Sequence, residues 1–327
     1  MAAKKTKTKA EAPSTIVTLS GRRPDITDTY RWADFVELRA LVAQDGLVAR
    51  ADLADERKDS GTSNRDEHES AAEGSDECAA WTADVFSFLR SRANFWGASY
   101  PFEIRHNDLQ VRQPLEPRHD LYVFCLLAAN LQQISKSRHH LFTGGFEALS
   151  KTVLARLLPG TSQVRRFGAA DADYQGNIGE RITKLAADLK VQPTAGNEVS
   201  LNRRKTGDLG IDLVAWTPFG TLDPEGAFPT YFGQAACSPD EWPMKQNTVS
   251  PGNISAVLNI DGINSLCFIP QAFRNSDGKW FDSLTRSANT ILIDRLRFTH
   301  VLDQAWIPDA ETKTLIDKAV GEKRLWH

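Results

Sequence analysis

The sequence predicts a mixed α/β (α+β) fold, a helical N-terminal module followed by a mixed-sheet module. Three observations predict it. Apolar residues recur at helical spacing through roughly the first 190 residues. Beyond about residue 210 the pattern changes to short apolar runs bounded by Gly and Pro clusters, as in strands. A last helical stretch follows the strands, so the two kinds of element are grouped along the chain.

The chain of 327 residues is long enough for two domains. Residues 1–20 carry four lysines and no core, and are expected to be a basic disordered tail. Residues 21–145 are expected to form the α-helical module and residues 146–327 the second module. Within the first, residues 28–54 read as helix, capped by Asp28 and apolar at Trp32, Phe35, Leu38, Leu41 and Val42. Residues 57–77 (RKDSGTSNRDEHESAAEGSDE) are almost without apolar side chains and read as an acidic, solvated loop. Residues 41–80 hold eleven acidic and four basic side chains. The whole chain is only −3, so the remainder is mildly basic. That balance permits nucleic-acid binding without demanding it. Residues 79–95 are helical by period, and Pro101, Pro114 and Pro117 predict irregular connections after them. Residues 120–135 are the most apolar helix and should be central.

An amphipathic helix over residues 146–158 ends at Pro159-Gly160, and another spans residues 178–189. Residues 210–216 and 230–236 read as two strands joined by a turn-rich segment. Residues 265–270 (SLCFIP) read as a buried strand. Residues 281–301 read as a late helix.

Several classes are excluded. The four cysteines are far apart with no CxxC, which argues against a zinc ribbon and fits a reducing cytoplasm. Neither a GxGxxG nor a GxxxxGK loop is present, and there is no GxSxG or HExxH. No apolar run reaches the roughly 20 residues of a membrane span, and no apolar leader opens the chain.

The informative stretch is TGDLGIDLVAW, residues 206–216, with FGQ at residues 232–234. Asp212 stands at the mouth of an apolar strand and Gln234 on the next. A carboxylate and an oxygen ligand on neighbouring strands can share a hard cation such as Mg²⁺ or Mn²⁺. Such an ion polarises a phosphoryl oxygen and lowers the pKa of bound water. A helical carboxylate, such as Glu180, can complete the set.

GDLGIDLVAW followed by FGQ resembles the core of the PD-(D/E)xK nucleases, in particular their Mrr-type branch, over roughly residues 178–300. The resemblance implies a restriction-endonuclease-like sheet and metal-dependent cleavage of DNA. It implies that Asp212 and Gln234 bind metal, Gln234 as the Gln of Gln-x-Lys. The family's helix carboxylate matches Glu180 or, by its Phe-Glu-x-Leu pattern, Glu147. Glu180 is preferred because only one helix and a loop separate it from the strand. The family's lysine should fall at position 236, which is Ala236. Either the role has moved to Lys245 in SPDEWPMKQ, or the site has decayed to a nucleic-acid-binding or scaffold unit. Arg165, Arg166, Arg203, Arg204 and Lys205 flank the site as candidate phosphate contacts, with Arg295 and Arg297 late in the chain. Trp242 is a candidate for base stacking. By the same analogy the chain would be an effector of bacterial restriction or anti-phage defence. DNA is its expected partner, and its helical module would contact a partner protein. RNA as substrate and a homo-oligomeric state are left open.

Overall fold

The computed structural model describes residues 15–59, 71–168, 173–195, 209–220, 228–285, 289–302 and 306–323. It is a mixed α/β structure. In chain order the elements are α1 (Thr29–Val42), β1 (Leu47–Ala49), α2 (Arg50–Asp59), α3 (Ala71–Trp96), β2 (Phe102–Arg105), β3 (Asp108–Val111), α4 (Asp120–Ala129) and α5 (His139–Leu157). There follow β4 (Gln163–Arg166), α6 (Ile178–Asp188), β5 (Gln192–Pro193), β6 (Leu213–Trp216), β7 (Thr230–Ala235), α7 (Trp242–Lys245), α8 (Pro251–Ser255), β8 (Leu258–Asn259), β9 (Ile263–Phe268), β10 (Thr290–Ile293), α9 (Arg295–Leu302) and α10 (Ala310–Gly321).

The N-terminal part is not purely helical. The chain turns at Gly46, whose φ is +68°, and β1 joins β3 and β2 in an antiparallel sheet of order β1-β3-β2. The segment expected to be irregular after Pro101 is therefore a hairpin. Its alternation of buried Phe102, Leu109 and Val111 with polar residues was overshadowed by the prolines around it. The expected acidic loop is shorter than residues 57–77, because α2 and α3 reach into it. Arg57 lies over the Trp81 ring and ion-pairs with Glu77. Residues 60–70 lie outside the described residues. Helix α4 buries all ten of its residues, as its composition predicts.

The main sheet has five strands in the order β10-β9-β7-β6-β4. Strands β4, β6 and β7 run antiparallel in turn, and β7, β9 and β10 run parallel. Strand β6 is buried on both faces, which is why LVAW reads as a continuous apolar run. Its residues alternate between two cores. Leu213 and Ala215 join α5 and the N-terminal helices, while Val214 and Trp216 join α6. The expected helix over residues 281–301 is instead β10 followed by α9. The run TILI is continuous and rich in β-branched residues, so strand preference prevails there.

A buried ionic cluster ties the end of the chain to its beginning. Arg295, fully buried at the start of α9, reaches Asp34 on α1 through Nη1–Oδ1 and Nη2–Oδ2, each 3.1 Å. Its Nε donates to the Pro270 carbonyl at 2.9 Å. Arg92 on α3 donates to Asp34 and Glu37 at 2.7 and 2.9 Å. The hydroxyls of Tyr100 and Tyr122 donate to Glu37. Two carboxylates thus face two guanidiniums, the balance that buried charge requires. Arg295 is therefore a structural residue and not a phosphate contact. Arg297 is also engaged: it donates to the Leu292 carbonyl at 2.7 Å and lies over the Trp280 ring. No helix among the described residues is long and apolar enough to cross a membrane.

Candidate active site

Asp212 is fixed from both sides of the sheet. Its N–H donates to the Gly233 carbonyl at 2.9 Å, and its carbonyl accepts from Phe167 N at 2.8 Å. These bonds extend the β6 ladder by one residue towards both neighbours, so the strand mouth is rigid. The side chain is only 5% exposed. Its Oδ2 accepts from the Ala235 N–H at 2.6 Å and from the Gln234 carboxamide, Nε2 donating. Carboxylate and carboxamide on adjacent strands are thus in direct contact through the carboxamide nitrogen, where the sequence predicts its oxygen and a shared cation.

The turn before Asp212 depends on glycine. Gly210 has φ +72°, and a Cβ there would lie 2.5 Å from Thr248 Cβ and 2.9 Å from Gln234 Oε1. Thr248 follows α7, and its hydroxyl lies 2.6 Å from the Lys245 carbonyl, 3.0 Å from Gln234 Oε1 and 3.3 Å from the Gly210 carbonyl. Lys245 ends α7, a helical turn folded back after Ser238-Pro239 as the sequence suggests. Its ammonium pairs with Glu241 at 2.8 Å and is partly exposed.

Glu147 lies on α5, the helix that precedes β4 and packs against β4, β6 and β7. Its Oε2 accepts from Arg166 Nη2 at 3.0 Å. Burial pushes Cys237 far up, the Cys125, Glu147 and Asp212 groups add to the rise, and Lys245 opposes it. Asp212 and Lys245 act with the same signs on buried Cys267.

Glu180, preferred from the sequence, is spent elsewhere. It is the N3 residue of α6, and its Oε2 accepts from Asn177 N at 2.9 Å while Asn177 Oδ1 accepts from Glu180 N at 3.0 Å. This reciprocal capping box satisfies two orphan amides and folds the carboxylate back over Gly176. Among the described residues no bond joins Glu180 to Asp212 or Gln234. Nearness in sequence misled here, because α6 belongs to an excursion between β4 and β6.

Arg166 reaches the site region but pairs with Glu147, while its N–H donates to Asp173 at 2.8 Å. Asp173 lies below the usual carboxylate range. Burial raises it, but that amide, the Lys151 ammonium and the Arg165 charge outweigh the rise. Arg165 donates to Gln163 at 3.1 Å. Arg203, Arg204 and Lys205 lie outside the described residues. Trp242 is fully buried against Phe273 and is not available for stacking on a base. Thr248 carries no motif and only the fold reveals it.

No family model matches the chain, and no curated protein or solved structure matches it significantly. The donor chemistry is therefore the guide. Among the described residues no three His, Cys, Asp or Glu side chains stand close enough to hold a metal. Gln234 turns its carboxamide nitrogen towards Asp212 and its oxygen towards Thr248 Oγ1. As it stands this arrangement does not fit Mg²⁺ or Mn²⁺, which take oxygen ligands; it would do so only with the carboxamide turned over.

Proposed function

We propose that the chain is a metal-dependent endonuclease that cleaves phosphodiester bonds in DNA. The observation that supports the reading is the direct contact of Asp212 with Gln234 on neighbouring strands, next to the turn that follows Lys245. The order of elements around the site supports it: helix α5, then β4, β6 and β7 antiparallel, then two short helices and parallel β9. In this reading Glu147, rather than Glu180, stands for the helix carboxylate of the nucleases that the sequence resembles.

In this reading Asp212 and, with its carboxamide turned over, Gln234 would hold a cation, which would supply polarisation of a phosphoryl group and acidification of a water. Lys245 replaces the lysine missing at Ala236. Its ammonium, on a short helix beside the strand end, is free to leave exposed Glu241 for a phosphate oxygen at little cost, because such a surface pair is worth roughly 0–1 kcal/mol. Glu147 holds Arg166 in place, and an Arg at that point can meet the substrate backbone.

One specific feature favours a second reading, a catalytically inactive nucleic-acid-binding or scaffold unit. Asp212 Oδ2 already accepts two N–H groups, and Ala236 is fully buried. Plasmid DNA with Mg²⁺ or Mn²⁺ separates the two. The wild-type protein is expected to nick or linearise it, and Asp212→Ala to lose at least about a hundredfold, since even outer-shell changes at metal sites cost 10–100-fold. Equal rates for the two proteins would refute the assignment. Absence of cleavage and of cation binding in the wild type would leave the second reading. Cleavage of RNA alone would replace the substrate.

A further inference from the structure

Helix α7 is a single turn, too short to hold together without packing against its surroundings. Trp242 is its one buried side chain, while Met244 is 72% exposed and Lys245 partly exposed. What holds Trp242 and the turn before it therefore decides where Lys245 stands. The Trp242 indole meets the Phe273 ring edge-on at 4.8 Å. Phe273 meets Tyr30 of α1 edge-on in turn at 5.2 Å, and Tyr30 also lies 4.7 Å from the Phe281 ring. Beside Tyr30, Arg31 Nη1 pairs with Asp240 Oδ1 at 2.8 Å, two residues before α7, and with Asp28 Oδ2 at 3.2 Å. Helix α1 is a firm support at this point, because Arg92 of the buried cluster donates to the Tyr30 carbonyl at 2.8 Å.

We infer that Tyr30 and Arg31 of α1 are positioning residues for Lys245, acting through Trp242 and Asp240. The inference rests on the proposed role of Lys245 and adds how that lysine is placed: the N-terminal part of the chain, 209 positions from Asp240, moors the turn that carries it. The two ties have different strengths. The aromatic contact is buried and sets where the turn lies. The ion pair is at the surface, with the Asp240 side chain 71% exposed, and such a pair shifts an equilibrium by roughly 1.5- to 5-fold. The far end of α7 is bonded to the sheet, since the Thr248 hydroxyl reaches Gln234 Oε1 at 3.0 Å and the Thr290 hydroxyl donates to the Gln246 carbonyl at 3.1 Å. The turn is thus a bridge between α1 and the strands, and Lys245 stands on its span.

Hydrogen exchange read by mass spectrometry on the full-length protein tests the mooring, on the peptide covering residues 238–249. In Arg31→Gln this segment should exchange about 1.5- to 5-fold faster than in wild type, with the rest of the molecule unchanged. The reversed pair, Arg31→Asp with Asp240→Arg, should restore wild-type exchange. Tyr30→Leu, which removes the ring edge, should quicken the same segment further. Should it fail to fold, the Arg31 variants decide alone. Plasmid cleavage supplies the functional readout: Arg31→Gln should lower kcat by a similar factor with KM within about twofold of wild type, and the reversed pair should recover it. Unchanged exchange of residues 238–249 in Arg31→Gln, or a reversed pair that does not restore it, would overturn the inference and leave the proposed function standing. Faster exchange with unaltered cleavage would overturn it too, because Lys245 would then not need its place. A wild type that never cleaves DNA removes the proposed function, and exchange alone then decides whether α1 moors the turn.

Discussion

Replacing Arg295 by Met tests the buried cluster most severely. The guanidinium spans Asp34 through two contacts of 3.1 Å and the Pro270 carbonyl at 2.9 Å, with no exposure to water. Its removal leaves Asp34 and Glu37 facing Arg92 alone, a buried excess of one negative charge. Breaking a buried ion pair from one side costs about 3–5 kcal/mol. Native proteins are stable by about 5–15 kcal/mol, so the variant should lose about a fifth or more of its margin. Urea unfolding should show a midpoint shift with unchanged slope. The loss should also depend on pH. Burial already holds the Glu37 carboxyl above its usual range, and Arg295 is one of the cations opposing that rise. Without Arg295 the folded-state value climbs further above the unfolded one. Between those values the folded protein binds the extra proton, so stability falls as pH rises through the window. The gap between wild type and Arg295→Met should therefore narrow towards pH 5 and widen towards pH 8. A loss below about 1 kcal/mol, or a gap independent of pH, would refute the argument.

Two further outcomes follow from single residues. His119 is buried, its Nδ1 accepts from Glu116 N at 2.9 Å, and desolvation holds its pKa below the ordinary value. The neutral ring therefore stabilises the fold fully above about pH 6.5 and loses that contribution as pH falls towards the folded-state value; urea midpoints measured from pH 8 to 5 should decline less steeply in His119→Asn. Gly210→Ala places a Cβ 2.5 Å from Thr248 at a φ of +72°; it should lower stability by at least about 1–2 kcal/mol and weaken Mn²⁺ binding, and a thermal melt matching wild type would count against the close approach.

The sequence carried the elements whose pattern is local. The period of residues 178–188 matches α6, and LVAW and TYFGQA fall on β6 and β7. The apolar composition of α4 predicts its burial. What was not legible depends on partners distant in the chain. Nothing near Arg295 announces that its charge is spent on Asp34, 261 positions away. Nearness in sequence prefers Glu180 to Glu147, and only the structure shows the Glu180 carboxylate engaged in a capping box. The Asp212–Gln234 contact was legible because an antiparallel pair with a fixed register brings the two together. The Thr248 hydroxyl was not, because its contacts arise only where a turn after α7 meets the Gly210 loop.

Strand β10 ends the main sheet with the uncharged run TILI, and Ile291 is partly exposed. Such an edge is a template on which a stray strand can build. Ile293 directs its carbonyl inward to Ile269, so Leu292, its neighbour, directs its own outward. The Arg297 guanidinium occupies that outward carbonyl, and Trp280 beneath it holds the cation in place. An incoming strand would have to displace a charged donor and unstack it from an indole before it could bond the Leu292 carbonyl. The protein thus carries its own chain terminator for sheet growth, and crowding or high expression should not drive it to polymerise through this edge.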